Sequence, residues 1–342
     1  MLKAKTLFFT DLRKIEIREI PLPALKEDEV LVETICSAIS AGTEMLVYRG
    51  QFPPLKDAYD AVSSELKYPL TYGYACVGRV VEIGRGVNSE WENQLVFSFQ
   101  PHASHCITKT NHLFLIPRPL SLETACFLPN METAVNLVLD GAPTLGERVL
   151  VLGQGVVGLL TAALLSEFPL DALVTADHFD LRRKASKEIN KVVSFDPDGE
   201  AIQKDSFAHA RKKFDLTFEL SSSPSALNNA INLTTFSGRI VIGSWYGQKR
   251  AEINLGGDFH RSRIKLISSQ VSTISPELSG RWDKARRFGV AWKALERIKP
   301  EKWITHRFPI EQAAKAYQML DEQPQETIQV IFDFRSQKSS DF

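Results

Sequence analysis

Three glycines give the clearest chemical signal in the sequence. Gly153, Gly155 and Gly158 have the spacing G-x-G-x-x-G, directly after the apolar run 149–152 and directly before the apolar run 159–165. In such a context the first glycine permits a sharp turn, the second admits a pyrophosphate and the third lets helix and strand pack closely. The turn therefore predicts a dinucleotide-binding site at a helix N-terminus. A glycine-rich turn in another kind of βα unit is the competing interpretation.

The predicted cofactor site extends to the end of the next strand. Asp177 lies nineteen residues after Gly158 and closes the run ALVTAD, where a carboxylate can accept hydrogen bonds from the adenosine ribose. A carboxylate there repels a 2′-phosphate and favours NAD, but nearby basic residues leave NADP open. We interpret Arg182 and Arg183 as part of a mostly solvated helix face. The predicted cofactor-binding residues are Gly153, Gln154, Gly155, Val156, Val157, Gly158, Asp177, His178 and Arg182.

Composition indicates an enzyme-sized protein of two domains in 342 residues. Lysine plus arginine and aspartate plus glutamate both total 41, so no overall charge favours nucleic acid or an anionic membrane as a partner. The N-terminal segment MLKAKTLFFTDLRK has too few apolar residues for a signal sequence or a membrane span, which predicts a cytoplasmic location. We predict reduced, mostly buried thiols for the four widely spaced cysteines, Cys36, Cys76, Cys106 and Cys126.

The pattern of elements divides the chain into three parts. Residues 1–124 carry short alternating runs separated by turn residues, which predicts a mostly β, barrel-like unit. Residues 125–271 alternate strand-like and helix-like runs, which is typical of an α/β fold with a doubly wound parallel sheet. The tail adds predicted helices over 281–298 and 310–321, on either side of HRFP, and ends in the strand-like run TIQVIFDF.

The sequence resembles the medium-chain dehydrogenase/reductase superfamily, of the zinc-type alcohol dehydrogenase-like kind, over essentially its whole length. The resemblance is carried by DEVLVETICSAISAGTE, YPLTYGYACVGRVVEIGRGV, GERVLVLGQGVVGLL and THRFPIEQAAKAYQML. It implies a GroES-like β-barrel domain, residues 1–124 and 272–342, and a Rossmann domain, residues 125–271. It also implies that a small-molecule substrate and the nicotinamide meet in the cleft between the domains. Relatives commonly pair through the edges of their Rossmann sheets, so the resemblance implies a homodimer.

The zinc ligands of that superfamily are absent from this sequence. Ser40 stands where the first cysteine is expected, and Tyr74 and Ala75 replace histidine and glutamate. Asn130 or Met131 lies nearest the third ligand position. Serine, tyrosine and methionine are poor zinc ligands, so we expect no catalytic zinc. The cysteine-rich lobe that carries structural zinc is also missing.

A replacement metal site remains an alternative. Cys36, Cys76, His102 and His105 have ligand-type side chains, but no spacing signature joins them. The simpler interpretation places the cysteines inside strands and the histidines in a loop or at a strand edge. We therefore predict no metal ligands.

Without zinc, side chains must stabilise the negative charge that hydride transfer creates on a substrate oxygen. Tyr74 is the best candidate, because a phenol can donate a hydrogen bond or a proton; a packed tyrosine that fills the metal's space is equally compatible. Ser40 and Thr43 are candidates for orienting substrate or relaying a proton, against simple turn capping. Glu132 is either a general base or a helix-start carboxylate. Glu44 is better explained as structural.

Several arginines in the segment 259–288 offer another possible site. They either solvate loops and a helix face or bind an acidic group of the substrate. These residues are Arg261, Arg263, Arg281, Arg286 and Arg287.

Three segments, SAISAGTE, YPLTYGYACVGRVVEIG and SQVSTISPELSGRWDKARR, resemble a zinc-free branch that includes the bacteriochlorophyllide hydroxyethyl dehydrogenases. The resemblance does not establish tetrapyrrole chemistry, because many members of that branch have no known substrate. The predicted function is zinc-independent, NAD(P)-dependent hydride transfer between the nicotinamide and an alcohol/carbonyl pair or an activated alkene. The alternative is a catalytically silent dinucleotide-binding redox sensor or scaffold.

Overall fold

The computed structural model describes residues 2–52, 67–198 and 213–335. The chain forms two compact units, the first comprising residues 1–129 and 295–342 and the second residues 130–294. Each unit has its own β-sheet structure and its own hydrophobic core.

The first unit begins with a series of short strands. Its elements up to the second unit are β1 (Lys3–Asp11), β2 (Lys14–Pro21), β3 (Glu29–Ala38), α1 (Ala41–Tyr48), β4 (Cys76–Ile83), β5 (Leu95–Ser98), β6 (His105–Lys109), β7 (Leu113–Leu115) and α2 (Leu122–Ala125).

Strands and helices alternate through the second unit. Its elements are α3 (Leu128–Gly141), β8 (Arg148–Leu152), α4 (Val156–Leu165), β9 (Ala172–Ala176), α5 (Asp180–Lys187), β10 (Val192–Phe195), β11 (Phe214–Glu219), α6 (Ala226–Leu233), β12 (Thr234–Ile242), β13 (Lys265–Ser268) and α7 (Lys284–Ile298). The tail returns to the first unit with β14 (Ile304–Phe308), α8 (Ala313–Glu322) and β15 (Gln329–Asp333).

In the described part of the second unit, six strands form a sheet in the order β10-β9-β8-β11-β12-β13, and every neighbouring pair is parallel. Successive residues of β8 face opposite sides: Leu150 and Leu152 belong to one apolar cluster, Val149 and Val151 to another. Both faces of the sheet are therefore covered, as a parallel sheet requires. The strand order is that of a Rossmann domain, and the predicted doubly wound α/β class is confirmed.

A mostly antiparallel sheet organises the first unit. Among the residues described, its order is β14-β15-β3-β4-β5-β7, with β6 also pairing with β3. Strand β15 of the tail pairs with β3, with Ile331 opposite Ala38, so the end of the chain completes a sheet begun near its start. Phe9, Tyr317 and Phe332 are buried together in the core beside this sheet. The predicted β unit of GroES-like type is confirmed.

The unit boundaries fall within helices α3 and α7 rather than after residues 124 and 271 as predicted. The second boundary lies later because α7 is fastened to α3 by Arg287, whose guanidinium donates to Glu132. No helix in residues 2–52, 67–198 and 213–335 is long and apolar enough to cross a membrane.

Candidate functional site

The glycine turn after β8 has the geometry that its spacing predicted. Gly153 has φ +89°, and a Cβ there would lie 2.4 Å from the carbonyl oxygen of Leu220. A Cβ on Gly158 would lie 2.0 Å from the carbonyl oxygen of Gly153. Apart from Gly155 itself and the adjoining backbone, no atom of the described chain lies within 4 Å of the position that a Cβ on Gly155 would take. The first and third glycines are therefore required by packing, whereas the second faces open space.

Helix α4 begins directly at this open position. Gly155 is its N-cap residue, Val156 and Val157 form its first turn, and residues 158–165 are all buried. The first N–H groups of a helix have no partner within the helix and carry its positive dipole end. The open space at Gly155 therefore lies beside backbone donors suited to a phosphate.

Gln154 has a different role from the one its position in the turn predicted. Its side chain is fully buried, its Nε2 donates to the carbonyl of Gly153 at 2.9 Å, and its Oε1 accepts from Ser186 Oγ at 3.0 Å. Its backbone N–H donates to Asp177 Oδ2 at 2.7 Å. Gln154 thus fastens the turn to α5 and to the end of β9, and the hydrogen-bonding groups of its side chain are directed into the protein.

Asp177 follows β9 directly, at the carboxyl end of the strand next to β8. One carboxylate oxygen accepts from Gln154 N and the other from Phe179 N, at 2.7 and 2.8 Å. A carboxylate has about four lone-pair sites, so these two bonds leave acceptor capacity. Asp177 is 7% exposed, so only a small part of the residue is open to a ligand.

The basic residues after Asp177 are not the solvated helix face that we expected. Arg182 stacks on the Phe179 ring, with its guanidinium carbon 4.8 Å from the ring centroid, and burial lowers its pKa. Arg183 donates to the carbonyl oxygens of Asp177 and His178 and to Asp196. Their side chains are only 21% and 16% exposed, because these contacts draw them onto the protein.

His178 is more exposed and lies beside two carboxylates. Its Nδ1 is 3.0 Å from Asp198 Oδ2 and 4.0 Å from Asp196 Oδ1. In the described residues, these three side chains form the only group of at least three His, Cys, Asp or Glu whose ligand atoms lie close enough to share an ion. The alternative site of Cys36, Cys76, His102 and His105 is therefore not assembled.

The cysteines are free thiols. Cys36 and Cys126 lie with their sulfur atoms 3.3 Å apart, and both are buried, as is Cys76. Cys106 is less buried than the other three. Burial raises the pKa of the Cys106 thiol to about 12. Inert thiols of this kind agree with the structural role expected for them.

Tyr74, Ser40 and Thr43 form a cluster of hydroxyl groups in the first unit. The Tyr74 phenol donates to Ser40 Oγ at 2.5 Å and approaches Thr43 Oγ1 at 3.2 Å. Burial raises the pKa of Tyr74 to about 12, so the phenol is protonated at neutral pH. Ser40 is the N-cap residue of α1, but its side chain makes no capping hydrogen bond. The hydroxyl serves Tyr74 instead of capping the helix, although the Tyr74 ring also packs against the core of this unit.

The hydroxyl cluster is a poor donor set for zinc. Two neutral hydroxyls and a phenol with a raised pKa offer no thiolate or imidazole, which zinc prefers. Met131 is fully buried and Asn130 is 8% exposed. These side chains therefore do not fit a catalytic zinc ion.

Glu44 is fully buried beside this cluster. Its Oε1 accepts from the backbone N–H of Ser40 at 2.7 Å, and its Oε2 accepts from Tyr317 and, at 3.0 Å, from His102 Nε2. The other ring nitrogen of His102 lies 2.7 Å from Ser37 Oγ. Three donors thus compensate for the burial of the Glu44 carboxylate. The expected structural role of Glu44 has a specific form, a link between the hydroxyl cluster and the core.

Glu132 is held in an ion pair. Arg287 donates to its Oε1 from Nε at 3.1 Å and from Nη2 at 2.6 Å, and both residues are buried. Arg287 also donates to Asn136 Oδ1 and to the carbonyl oxygen of Thr273. Burial raises the pKa of Glu132, while Arg287 acts in the opposite direction. The carboxylate is thus committed to a structural contact within the second unit, which weakens the argument for a general base.

Three parts of these clusters do not follow from the sequence. The sequence predicts His102 as a loop or strand-edge residue or, as the alternative, a metal ligand; it does not single out Tyr317 or pair Arg287 with Glu132. The available signal was a glutamate, Glu44, directly before the apolar run MLVY, since a buried carboxylate requires donors.

Comparison with known proteins supports the fold. No protein-family model matches the chain. The starvation-sensing protein RspB of Escherichia coli K12 is 25% identical, over 93% of this chain and 95% of that protein. The L-threonine 3-dehydrogenase of Xanthomonas euvesicatoria pv. vesicatoria is 23% identical, over 90% and 93%. The crystal structure of an Escherichia coli CFT073 alcohol dehydrogenase (rspB), complexed with NADH, gives a TM-score of 0.79 at 21% identity, covering 98% of this chain and 100% of that one.

A Rossmann unit with its glycine turn, joined in one chain to a GroES-like unit, defines the class of two-domain dehydrogenases. The chain has the fold of such dehydrogenases, and the named dehydrogenases among its relatives and structural neighbours support an oxidoreductase of the medium-chain dehydrogenase/reductase type.

Proposed function

We propose that the chain is a zinc-independent, NAD(P)-dependent oxidoreductase that acts on an alcohol/carbonyl pair or an activated alkene. The observation that carries this proposal is the Tyr74 phenol, which is hydrogen-bonded to Ser40 and Thr43. These residues lie in the segments that resemble the zinc-ligand segments of the superfamily. Polar hydroxyl groups have replaced the metal ligands, so a donor for a substrate oxygen is retained. The same resemblance supports membership of a zinc-free branch.

The turn from Gly153 to Gly158 and the N-terminus of α4 would hold the pyrophosphate of the dinucleotide. Asp177 would accept hydrogen bonds from the adenosine ribose. The carboxylates of Asp196 and Asp198 lie beside His178 and would add to the repulsion of a 2′-phosphate. We therefore favour NAD over NADP.

The bound nicotinamide supplies or accepts a hydride at its C4. On substrate binding, the single phenol hydrogen of Tyr74 would turn from Ser40 Oγ to the carbonyl oxygen of the substrate and stabilise the negative charge that develops there. A phenol is a stronger acid than an alcohol, so Tyr74 can pass its proton to the new alkoxide. Ser40 and Thr43 would orient the phenol and, after the transfer, relay to the Tyr74 phenolate a proton taken up from water. The resting protonated state of Tyr74 therefore suits reduction, because oxidation of an alcohol requires the phenolate as base.

Titration calorimetry with NADH and NADPH, on protein assayed for zinc, tests the cofactor part of this proposal. A panel of carbonyls, activated alkenes and alcohols, followed by nicotinamide absorbance, then tests turnover. We expect NADH to bind more tightly than NADPH, and turnover with far less than one zinc per chain. NADH binding without turnover on any panel member would favour the redox sensor or scaffold. Failure to bind either nucleotide would contradict both functions. A cytoplasmic location and a homodimer remain predictions.

A further inference from the structure

His102 is a buried histidine with defined partners on both ring nitrogens. Its side chain is fully buried, its Nε2 lies 3.0 Å from Glu44 Oε2, and its Nδ1 lies 2.7 Å from Ser37 Oγ. Because a carboxylate only accepts, Nε2 carries the hydrogen in this contact. A histidine that only filled space would not need two aligned polar partners, since an apolar side chain packs at lower cost.

One connection from His102 to Tyr74 runs through hydrogen bonds. His102 donates to Glu44, which in turn accepts the backbone N–H of Ser40 at 2.7 Å. Ser40 Oγ then accepts from the Tyr74 phenol at 2.5 Å. Both carboxylate oxygens of Glu44 accept hydrogen bonds, so its orientation is fixed. Glu44 in turn holds Ser40, which accepts the hydrogen bond of Tyr74.

A second connection runs through the backbone before Tyr74. Gly73 has φ +117°, and a Cβ there would lie 2.6 Å from the His102 ring. The ring therefore packs directly against the chain at Gly73. The backbone N–H of His102 also donates to the carbonyl of Tyr72, at 3.4 Å. The position of His102 thus constrains the backbone from which the Tyr74 side chain extends. Glu44 constrains the direction of the Tyr74 hydroxyl through Ser40.

We propose that His102 is a positioning residue for Tyr74, acting through the Glu44 carboxylate and through ring contact with Gly73. Its significance for catalysis rests on the function proposed above for Tyr74. The positioning itself is a property of the folded chain without cofactor or substrate, so it is tested separately.

Fluorine NMR of protein labelled with 3-fluorotyrosine provides that test. The chain has seven tyrosines, and the variant Tyr74→Phe identifies the Tyr74 signal by its disappearance. We expect the Tyr74 signal to move by more than its linewidth in His102→Leu. In His102→Gln, whose amide can still donate to Glu44, the signal is expected closer to that of the wild type. His306→Leu is the matched control, because His306 is a partly buried histidine of β14 that stacks on Phe308.

An unmoved Tyr74 signal in folded His102→Leu would overturn the proposal, and so would an equal movement in His306→Leu. If His102→Leu does not fold, Glu44→Gln takes its place, since this substitution keeps the volume and alters the contact with His102. A Tyr74 signal that stays in place in Glu44→Gln would then overturn the proposal.

Where a substrate has been found, kinetics add a second readout. We expect kcat of His102→Leu to fall by roughly tenfold or more, as misplacement of a catalytic group does. The Kd for NADH, which reports on the second unit, should stay within about twofold, and His102→Gln should recover part of kcat. Equal losses in kcat and NADH affinity would show general loosening of the fold and contradict a positioning role.

Discussion

The guanidinium of Arg287 in α7 donates twice to one carboxylate oxygen of Glu132 in α3, at 2.6 and 3.1 Å. The sequence alone suggests a general base or a helix-start carboxylate for Glu132, and a solvated side chain or a ligand for an acidic substrate group for Arg287. In the structure, the two side chains instead form an ion pair with each other. The same guanidinium donates to the carbonyl oxygens of Val271 and Thr273, so the pair also fixes the chain after β13.

Removal of Arg287 should therefore destabilise the second unit strongly. Arg287→Met leaves a buried, unpaired carboxylate at Glu132, for which we expect a loss of about 3–5 kcal/mol in the free energy of unfolding. The double variant Arg287→Met, Glu132→Gln should recover part of that loss, because it removes the charge. Urea unfolding of the three proteins measures both effects. Equal stability of the single variant and the wild type would contradict the ion pair.

Glu132→Gln by itself distinguishes the structural role from a catalytic one. At a temperature where the variant is folded, we expect kcat to stay within about twofold of the wild type, since general-base loss costs far more. A fall of roughly a hundredfold with intact folding would restore Glu132 as a base.

The glycine turn makes a prediction that separates binding from folding. Gly155→Ala places a methyl group in open space, so we expect an unchanged Tm and weaker NADH binding. Gly158→Ala places a methyl group 2.0 Å from the Gly153 carbonyl oxygen, so we expect a loss of about 1–3 kcal/mol in stability. Thermal unfolding and NADH calorimetry on both variants measure the contrast. Unchanged NADH affinity in Gly155→Ala would remove the pyrophosphate from this turn.

Replacement of Asp177 tests the cofactor preference. Asp177→Asn removes the negative charge and keeps the shape, so we expect weaker NADH binding and a smaller advantage of NADH over NADPH. Arg182→Gln is a useful comparison, because Arg182 stacks on Phe179 and should affect the preference less. If Asp177→Asn leaves both affinities unchanged, the carboxylate does not bind the ribose.

The raised pKa of Tyr74 predicts a specific alkaline instability. In the unfolded chain a tyrosine loses its proton near pH 10, whereas folded Tyr74 holds its proton to about 12. Between these values the unfolded state binds fewer protons, so the contribution of Tyr74 to stability falls as pH rises. The free energy of unfolding should therefore decline less in Tyr74→Phe than in the wild type between about pH 9 and about pH 11. Parallel declines would indicate an ordinary Tyr74 pKa.

The sequence predicted the parallel sheet well because its signals are local. The apolar runs at β8 and β9 end directly before Gly153 and at Asp177, and their observed bounds lie within a residue of the predicted ones. The predicted start of α7 at Arg281 was early, since Asp283 accepts from the backbone N–H of Arg286 and begins the helix at Lys284. Strand β14 was not recognised, because its pairing with β15 is made between distant segments.

The candidate site also contains residues that the local sequence predicts and residues that it does not. The glycine turn and Asp177 follow from a short motif with a fixed spacing. The contacts of Glu44 do not, because they join it to His102 and Tyr317, which lie 58 and 273 positions away. Such contacts depend on how strands and helices of the first unit pack, which single-sequence patterns do not specify.

Turnover by Tyr74→Phe, on protein stripped of metal and assayed for zinc, decides whether the Tyr74 phenol takes the place of the metal. The substitution removes one hydroxyl and keeps the ring packed against Tyr72. We expect the metal-free wild type to turn over and Tyr74→Phe to lose roughly a hundredfold or more in kcat, with unchanged NADH affinity. Two results would contradict a catalytic role for Tyr74 without zinc. One is turnover that is lost when zinc is removed and returns when zinc is added; the other is an equal kcat in Tyr74→Phe and the wild type.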